Sequence, residues 1–146
     1  MKPSEPSHPK GQNAAITVLK AIAGADEDAP ELRGKYKEPV KRVRQGEAQS
    51  DYDPKGNGYQ SCLRLYGDKP APTLGKTTTG TGFGTLIHPT QDRPISIGEA
   101  KRLASYPDEY RMAGTYVQRW ARIGNSVPPL MMRAIAQHIR KEILHR

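Results

Sequence analysis

The sequence is short of cysteine, of aromatic side chains and of apolar runs, and each shortage removes a class of protein. A single cysteine, Cys62, leaves no internal disulfide and no cysteine-based metal site, so nothing in the chain calls for an oxidising compartment. The four histidines show no metal-ligand spacing, so no metal site is expected. No stretch approaches the roughly 18 apolar residues of a membrane span, and the opening MKPSEPSHPKGQ has no apolar signal segment. A soluble, cytoplasmic chain without membrane contact is the expectation. Hydrophobic residues make up 35% of 146 residues, with one Trp, seven Tyr and one Phe, which implies a thin core.

What is plentiful is glycine and proline, 14 and 13 residues, and positive charge. The former push much of the chain into loops. The net charge of +8 favours a polyanionic partner and is spread along the chain rather than held in a basic tail.

Residues 1–14 read as a disordered lead-in. In Ala14–Ala23 the apolar residues Ile16, Leu19 and Ile22 recur three apart, a short amphipathic helix ended by Gly24. Residues 24–60 carry mixed charge, little periodicity and the turn signal DPKGNG at Asp53–Gly58. Ser61–Tyr66 alternates as a half-buried strand does, and Thr85–His88 reads as a second brief strand. Ser96 followed three residues later by Glu99 is a capping box, starting a helix at Ile97 that stops before Pro107. Pro128 and Pro129 suit a first helical turn, where their missing N–H groups have no intrahelical partner. Beyond them Leu130, Met131, Ile135, Ile139 and Ile143 run down one face of a long terminal helix.

In LGKTTTGTGFGT, Leu74–Thr85, the Gly75-Lys76-Thr77 looks like the end of a phosphate-binding loop, but the match fails. Pro70 stands where the first glycine of that motif belongs, and no helix follows to aim backbone N–H groups at a phosphate. Cys62 lies within an expected strand with no local activating partner and reads as a small core thiol. His8, His88, His138 and His145 read as solvated or loop histidines. From the residues alone the chain is a basic, nucleic-acid-associated domain without a complete active site.

Two segments then stand out. DRPISIGEAKRLASYPDEY, Asp92–Tyr110, resembles the ninth motif of DNA cytosine C5-methyltransferases, an Arg-Pro-x-Ser/Thr-x-x-Glu-Ala helix followed by a Tyr-Pro-Asp turn. RIGNSVPP, Arg122–Pro129, resembles the tenth, and the terminal helix follows as it does in that family. Upstream the likeness is looser: ITVLKAIAG resembles the helix after the family's catalytic half, and RLYGDKPAPTLG the approach to the Thr-Leu pair of its target-recognition region.

The resemblance implies an α+β, loop-rich fold. A target-recognition domain at 15–91 is followed at 92–146 by the motif IX helix and a long C-terminal motif X helix, with the Rossmann-like catalytic domain absent. It implies a role in cytosine C5 methylation of double-stranded DNA, of the restriction-modification kind, with S-adenosyl-L-methionine as methyl donor. Thr73 and Leu74 correspond to the Thr-Leu pair that faces DNA, with Lys76 as an added phosphate contact. Arg93 and Glu99 take structural roles, and Asn125, Ser126 and Val127 line the methionine end of the cofactor pocket. The family's Phe-x-Gly-x-Gly loop, Pro-Cys nucleophile, Glu-Asn-Val and Gln-x-Arg-x-Arg segments are not in this sequence, so no catalytic residue is assigned. The chain is expected to be inactive alone and to need a catalytic subunit bearing those motifs; with its own initial Met, a split-enzyme subunit or a truncated product both fit. The alternative is a stand-alone DNA-binding module or a decayed remnant. In the family the terminal helix packs on the catalytic domain; within this chain its apolar face has only the Glu99–Ser105 helix as an alternative cover.

Overall fold

The computed structural model describes residues 15–25, 29–32, 37–48, 62–78 and 85–144. The expected lead-in at 1–14, the DPKGNG turn and the Gly80–Gly84 stretch lie outside them. The described elements are α1 (Val18–Ile22), α2 (Lys37–Arg42), β1 (Leu63–Arg64), β2 (Leu86–Ile87), α3 (Ile97–Leu103), α4 (Tyr116–Gly124) and α5 (Pro129–Ile139), the last running on into a wider π-helical turn at Arg140–Leu144. Helices with a small sheet make the chain mixed α+β, in agreement with the sequence.

β1 and β2 pair in parallel, Leu63 with Leu86 and Arg64 with Ile87. The pairing extends by single bridges, Ala48 to Leu63 on one side and Ile87 to Pro94 on the other. The expected half-buried alternation at Ser61–Tyr66 is not what forms. Cys62, Arg64 and Leu65 are all buried, because loop and helix cover both faces of this short strand. The helix face of α1 also differs from the expected one. Val18 and Ile22, one turn apart, point inward onto α3, whereas Ile16 precedes the helix and is 59% exposed. α1 is seated by its own first amides, since Val18 N and Leu19 N donate to the Lys69 and Gly67 carbonyls at 2.9 and 3.0 Å. Those carbonyls satisfy donors that a helix start leaves over.

α3 begins as the sequence indicates. Ser96 Oγ accepts from the Glu99 amide at 3.0 Å and Glu99 Oε2 accepts from the Ser96 amide at 2.7 Å. It ends at Ser105, whose φ of +62° is left-handed; the Tyr106 amide returns to the Lys101 carbonyl and closes the helix. Ser105 Oγ also accepts from Leu130 N at 3.1 Å, fixing the base of α5. Two helices escaped the sequence reading, α2 and α4. α4 carries its own capping box, Thr115 with Gln118, directly after a glycine at φ +106°.

The core gathers Val18, Ile22, Leu65, Leu86, Ile95, Ile97, Ala100, Trp120 and Ile123 between α1, the sheet, α3 and α4. A smaller cluster, Val40, Cys62 and Ile87, seats α2. Tyr116 touches both, stacking on Trp120 and donating its hydroxyl to the Ile95 carbonyl at 2.9 Å.

The loops around the sheet converge on one buried cation. Arg64 Nε donates to Val43 O at 2.7 Å, Nη1 to His88 O and Gln91 O at 3.0 and 2.9 Å, and Nη2 to Val40 O at 2.8 Å and Asp92 Oδ1 at 2.6 Å. The carbonyls of Val40 and Val43 belong to the C-terminal end of α2, where a cation is favoured by the helix dipole. Replacing Arg64 by Met keeps the stem but leaves four carbonyls and one carboxylate without this partner. A loss of about 3 kcal/mol or more is expected. Urea denaturation measures it, and an unchanged midpoint would show that water replaces the guanidinium at no cost.

Candidate functional site

Three stretches singled out in the sequence are Thr73–Lys76, Arg93–Glu99 and Asn125–Val127. The first lies against Gly124, the residue directly before the third. Thr73 and Lys76 are exposed, while Leu74 is half-buried against the main core. The backbone beneath Lys76 is tied to α4, because Trp120 Nε1 donates to the carbonyls on both sides of it, Gly75 O at 3.0 Å and Thr77 O at 3.2 Å. Trp120 is 1% exposed, so its indole N–H needs this partner. The close approach falls on Gly124. A Cβ there would come within 2.6 Å of Lys76 Cα and collide with the Lys76 nitrogen and the Gly75 carbonyl carbon. At Gly75 itself a Cβ would meet open space. Between these two, the glycine that the close approach requires is Gly124 of α4 and not Gly75.

Gly124 ends α4 and Asn125 follows as its C-cap, its amide donating to Ala121 O at 3.0 Å. Ser126 Oγ turns back to the Ile123 carbonyl at 2.7 Å, which holds the turn before the two prolines. Asn125 and Val127 are exposed. An amide and an apolar side chain on a fixed turn have the chemistry to contact an amino-acid-like ligand end.

Arg93 and Glu99 meet each other rather than the other two stretches. Arg93 Nη1 and Nη2 bond Glu99 Oε2 and Oε1, both at 2.8 Å, in a two-pronged ion pair. Glu99 is 2% exposed and also caps α3, so both of its oxygens are taken up by structure. His88, expected in a solvated loop, is instead buried beside this pair, with Nε2 at 3.6 Å from Glu99 Oε1. The amides of Thr90 and Gln91 donate to His88 Nδ1 at 3.2 and 3.1 Å, which places the ring proton on Nε2, facing Glu99. The short Leu86–Ile87 strand carries His88 into the interior, a placement that a lone histidine before a proline did not reveal.

Burial pushes the Glu99 carboxyl up, but the Arg93 hydrogen bonds, the Ser96 amide and the Arg93 charge outweigh it. The net shift is below the usual carboxylate value. Burial pushes the Cys62 thiol up to about 12, so it stays un-ionised and non-nucleophilic, as the sequence reading of a core thiol had it. Among the described residues no group of His, Cys, Asp and Glu could hold a metal ion. No described helix is long and apolar enough to cross a membrane.

α5 offers its apolar side to solvent. None of its residues is buried, and Val127, Leu130, Met131 and Ile143 are 52%, 58%, 56% and 63% exposed. Packing of this face on the Glu99–Ser105 helix is not realised. Among the described residues the base of α5 meets the body where Pro129, Leu130 and Arg133 with Ile16, Ala21 and Tyr106 line an open hollow of about 600 Å³.

Because the folded-state Glu99 carboxyl lies below its unfolded value, its contribution to stability is complete above the ordinary glutamate range, about pH 4.3, and is lost as pH falls through the folded value. Thermal melts from pH 7 to pH 3 are expected to show a smaller acid-side fall in Tm for Glu99→Gln than for the parent. Equal slopes would remove Glu99 as a source of the acid sensitivity.

The model of the C-5 cytosine-specific DNA methylase family matches residues 6–141. A putative type II methyltransferase, M.MJ0563P of Methanocaldococcus jannaschii, is 33% identical over 140 residues, covering 92% of this chain and 43% of that protein. Type II methyltransferase M.AgeI of Thalassovita gelatinovora is 39% identical over 80 residues, 55% of this chain and 18% of its own length. The chain thus spans less than half of these two relatives. Type II methyltransferase M.AquIB of Picosynechococcus sp. is 28% identical over 119 residues, which cover 73% of this chain and 81% of that protein, itself therefore comparably short.

Proposed function

The chain belongs to the C-5 cytosine-specific DNA methylase family, and we propose that it supplies that family's C-terminal portion, the part that reads DNA and completes the cofactor pocket. In this reading 15–91 is the target-recognition region and 92–146 the motif IX and motif X segment. Thr73, Leu74 and Lys76 face DNA, Lys76 as a phosphate contact that positions without specifying. Asn125, Ser126 and Val127 form one wall of the S-adenosylmethionine pocket, and Arg93 with Glu99 braces the start of α3. The chemistry of methyl transfer to cytosine C5 resides in a catalytic body bearing the Pro-Cys and Phe-x-Gly-x-Gly motifs, whether a separate subunit or the remainder of a longer chain.

The observation that carries this reading is the bare face of α5. Each large apolar side chain that it presents gains roughly 1.5–3 kcal/mol when buried, and nothing among the described residues buries it. A helix that follows a motif X turn and shows a continuous apolar face is suited to packing on a catalytic domain. The one-sided Asn125–Val127 turn at its foot calls for the same neighbour. The short relative adds support, since 81% of it aligns with this chain.

Co-expression with a family member's catalytic half tests the proposal, with transfer of labelled methyl groups to DNA as the readout. Activity is expected only when both chains are present; specific DNA binding by this chain alone, with no effect on any such half, would favour a stand-alone DNA-binding module. Ile135→Glu on the exposed face is expected to abolish complementation while changing the chain's own stability by no more than about 0.5 kcal/mol in urea melts. In the assembled enzyme, Lys76→Ala is expected to reduce the dependence of DNA affinity on salt by about one phosphate contact. An unchanged salt slope would make Lys76 a spacer.

A further inference from the structure

The geometry points to Trp120 and Gly124 as positioning residues that couple the DNA-facing loop to the cofactor-facing turn. The inference rests on the reading of those two stretches given above and adds the physical connection between them. Four observations define it. The indole N–H of Trp120 bonds the carbonyls of Gly75 and Thr77, so the backbone on both sides of Lys76 has one shared anchor. Gly124, one helical turn further along α4, lies so close to the Lys76 backbone that no side chain fits between them. Asn125, Ser126 and Val127 follow Gly124 directly, and the Ser126 hydroxyl bonds back to Ile123 O, so the turn moves with the end of α4. Finally, Trp120 and Ile123 are buried in the main core, and Tyr116 stacks on the indole, so α4 is a rigid support.

The consequence is mechanical. A phosphate that draws on Lys76 acts on a backbone whose neighbours are the Trp120 indole and Gly124, and a displacement there has no soft residue to absorb it before the Asn125–Val127 turn. By linkage, a ligand seated on that turn must influence DNA affinity by the same factor that DNA influences its own. Trp120 touches neither DNA nor cofactor in this arrangement. It sets where the one stands relative to the other.

At 16.1 kDa the chain is open to amide-resolved NMR, and its single tryptophan gives one indole N–H signal. The experiment titrates the full chain with a cytosine-containing, random-sequence DNA duplex at low salt. The expected result is a joint shift of the Thr73–Thr78 amides, the Trp120 indole N–H and the Gly124–Ser126 amides along one binding curve. In Trp120→Phe, which keeps the ring packing but removes the N–H, the loop amides should still respond and the Gly124–Ser126 response should be lost. Loop shifts with no movement of the indole or of Gly124–Ser126 in the parent chain would overturn the coupling and leave the DNA-reading assignment standing. DNA binding that leaves Thr73–Thr78 unmoved would overturn both. The parent titration decides the matter even if Trp120→Phe does not fold.

Discussion

One buried guanidinium holds together what the sheet is too small to hold. The two described strands, of two residues each, cannot by themselves organise the described residues, since an isolated pair of strands is marginal even when longer. Arg64 makes up the difference by collecting carbonyls from the end of α2 and from the loop after β2, with Asp92 supplying the countercharge. The desolvation of a buried charge is tolerated because every direction of the guanidinium is met by an acceptor. With that loop fixed, His88 is directed inward and Arg93 and Glu99 meet in register, which in turn sets the start of α3.

From α3 the order passes to α4 through the main core, and from α4 to the two surfaces with functional character. Trp120 is the point at which packing becomes polar. Its ring fills the core between Tyr116 and Ile123, while its N–H reaches out to hold the loop that carries Thr73, Leu74 and Lys76. The same helix delivers the Asn125–Val127 turn and then α5. The core thus supports, by way of α4, the loop that carries Lys76, a polar turn at the helix end and an apolar helix beyond.

Two groups with catalytic potential are taken up by the fold. The Glu99 carboxylate and the Cys62 thiol, groups with catalytic potential in other settings, are committed to an ion pair and to the core respectively. What remains exposed is suited to binding: Lys76, Asn125 and the apolar face of α5.

The sequence by itself determined the local events and the family. The Ser96–Glu99 capping box, the prolines at the start of α5 and the apolar face of that helix are encoded within a few residues of one another, and local backbone chemistry decides them. α4 is encoded in the same way through Thr115 and Gln118, a capping box of the same kind as that of α3. What only the tertiary structure decided depends on residues far apart in the chain. The alternation of Ser61–Tyr66 puts Arg64 on the polar face of a half-buried strand, and His88 reads as a solvated or loop histidine. In the structure both are buried, Arg64 is enclosed by groups 21 to 28 residues away, and Gly124 meets the Lys76 backbone across the fold. Long-range burial and hydrogen bonding set these roles, and no local pattern carries that information.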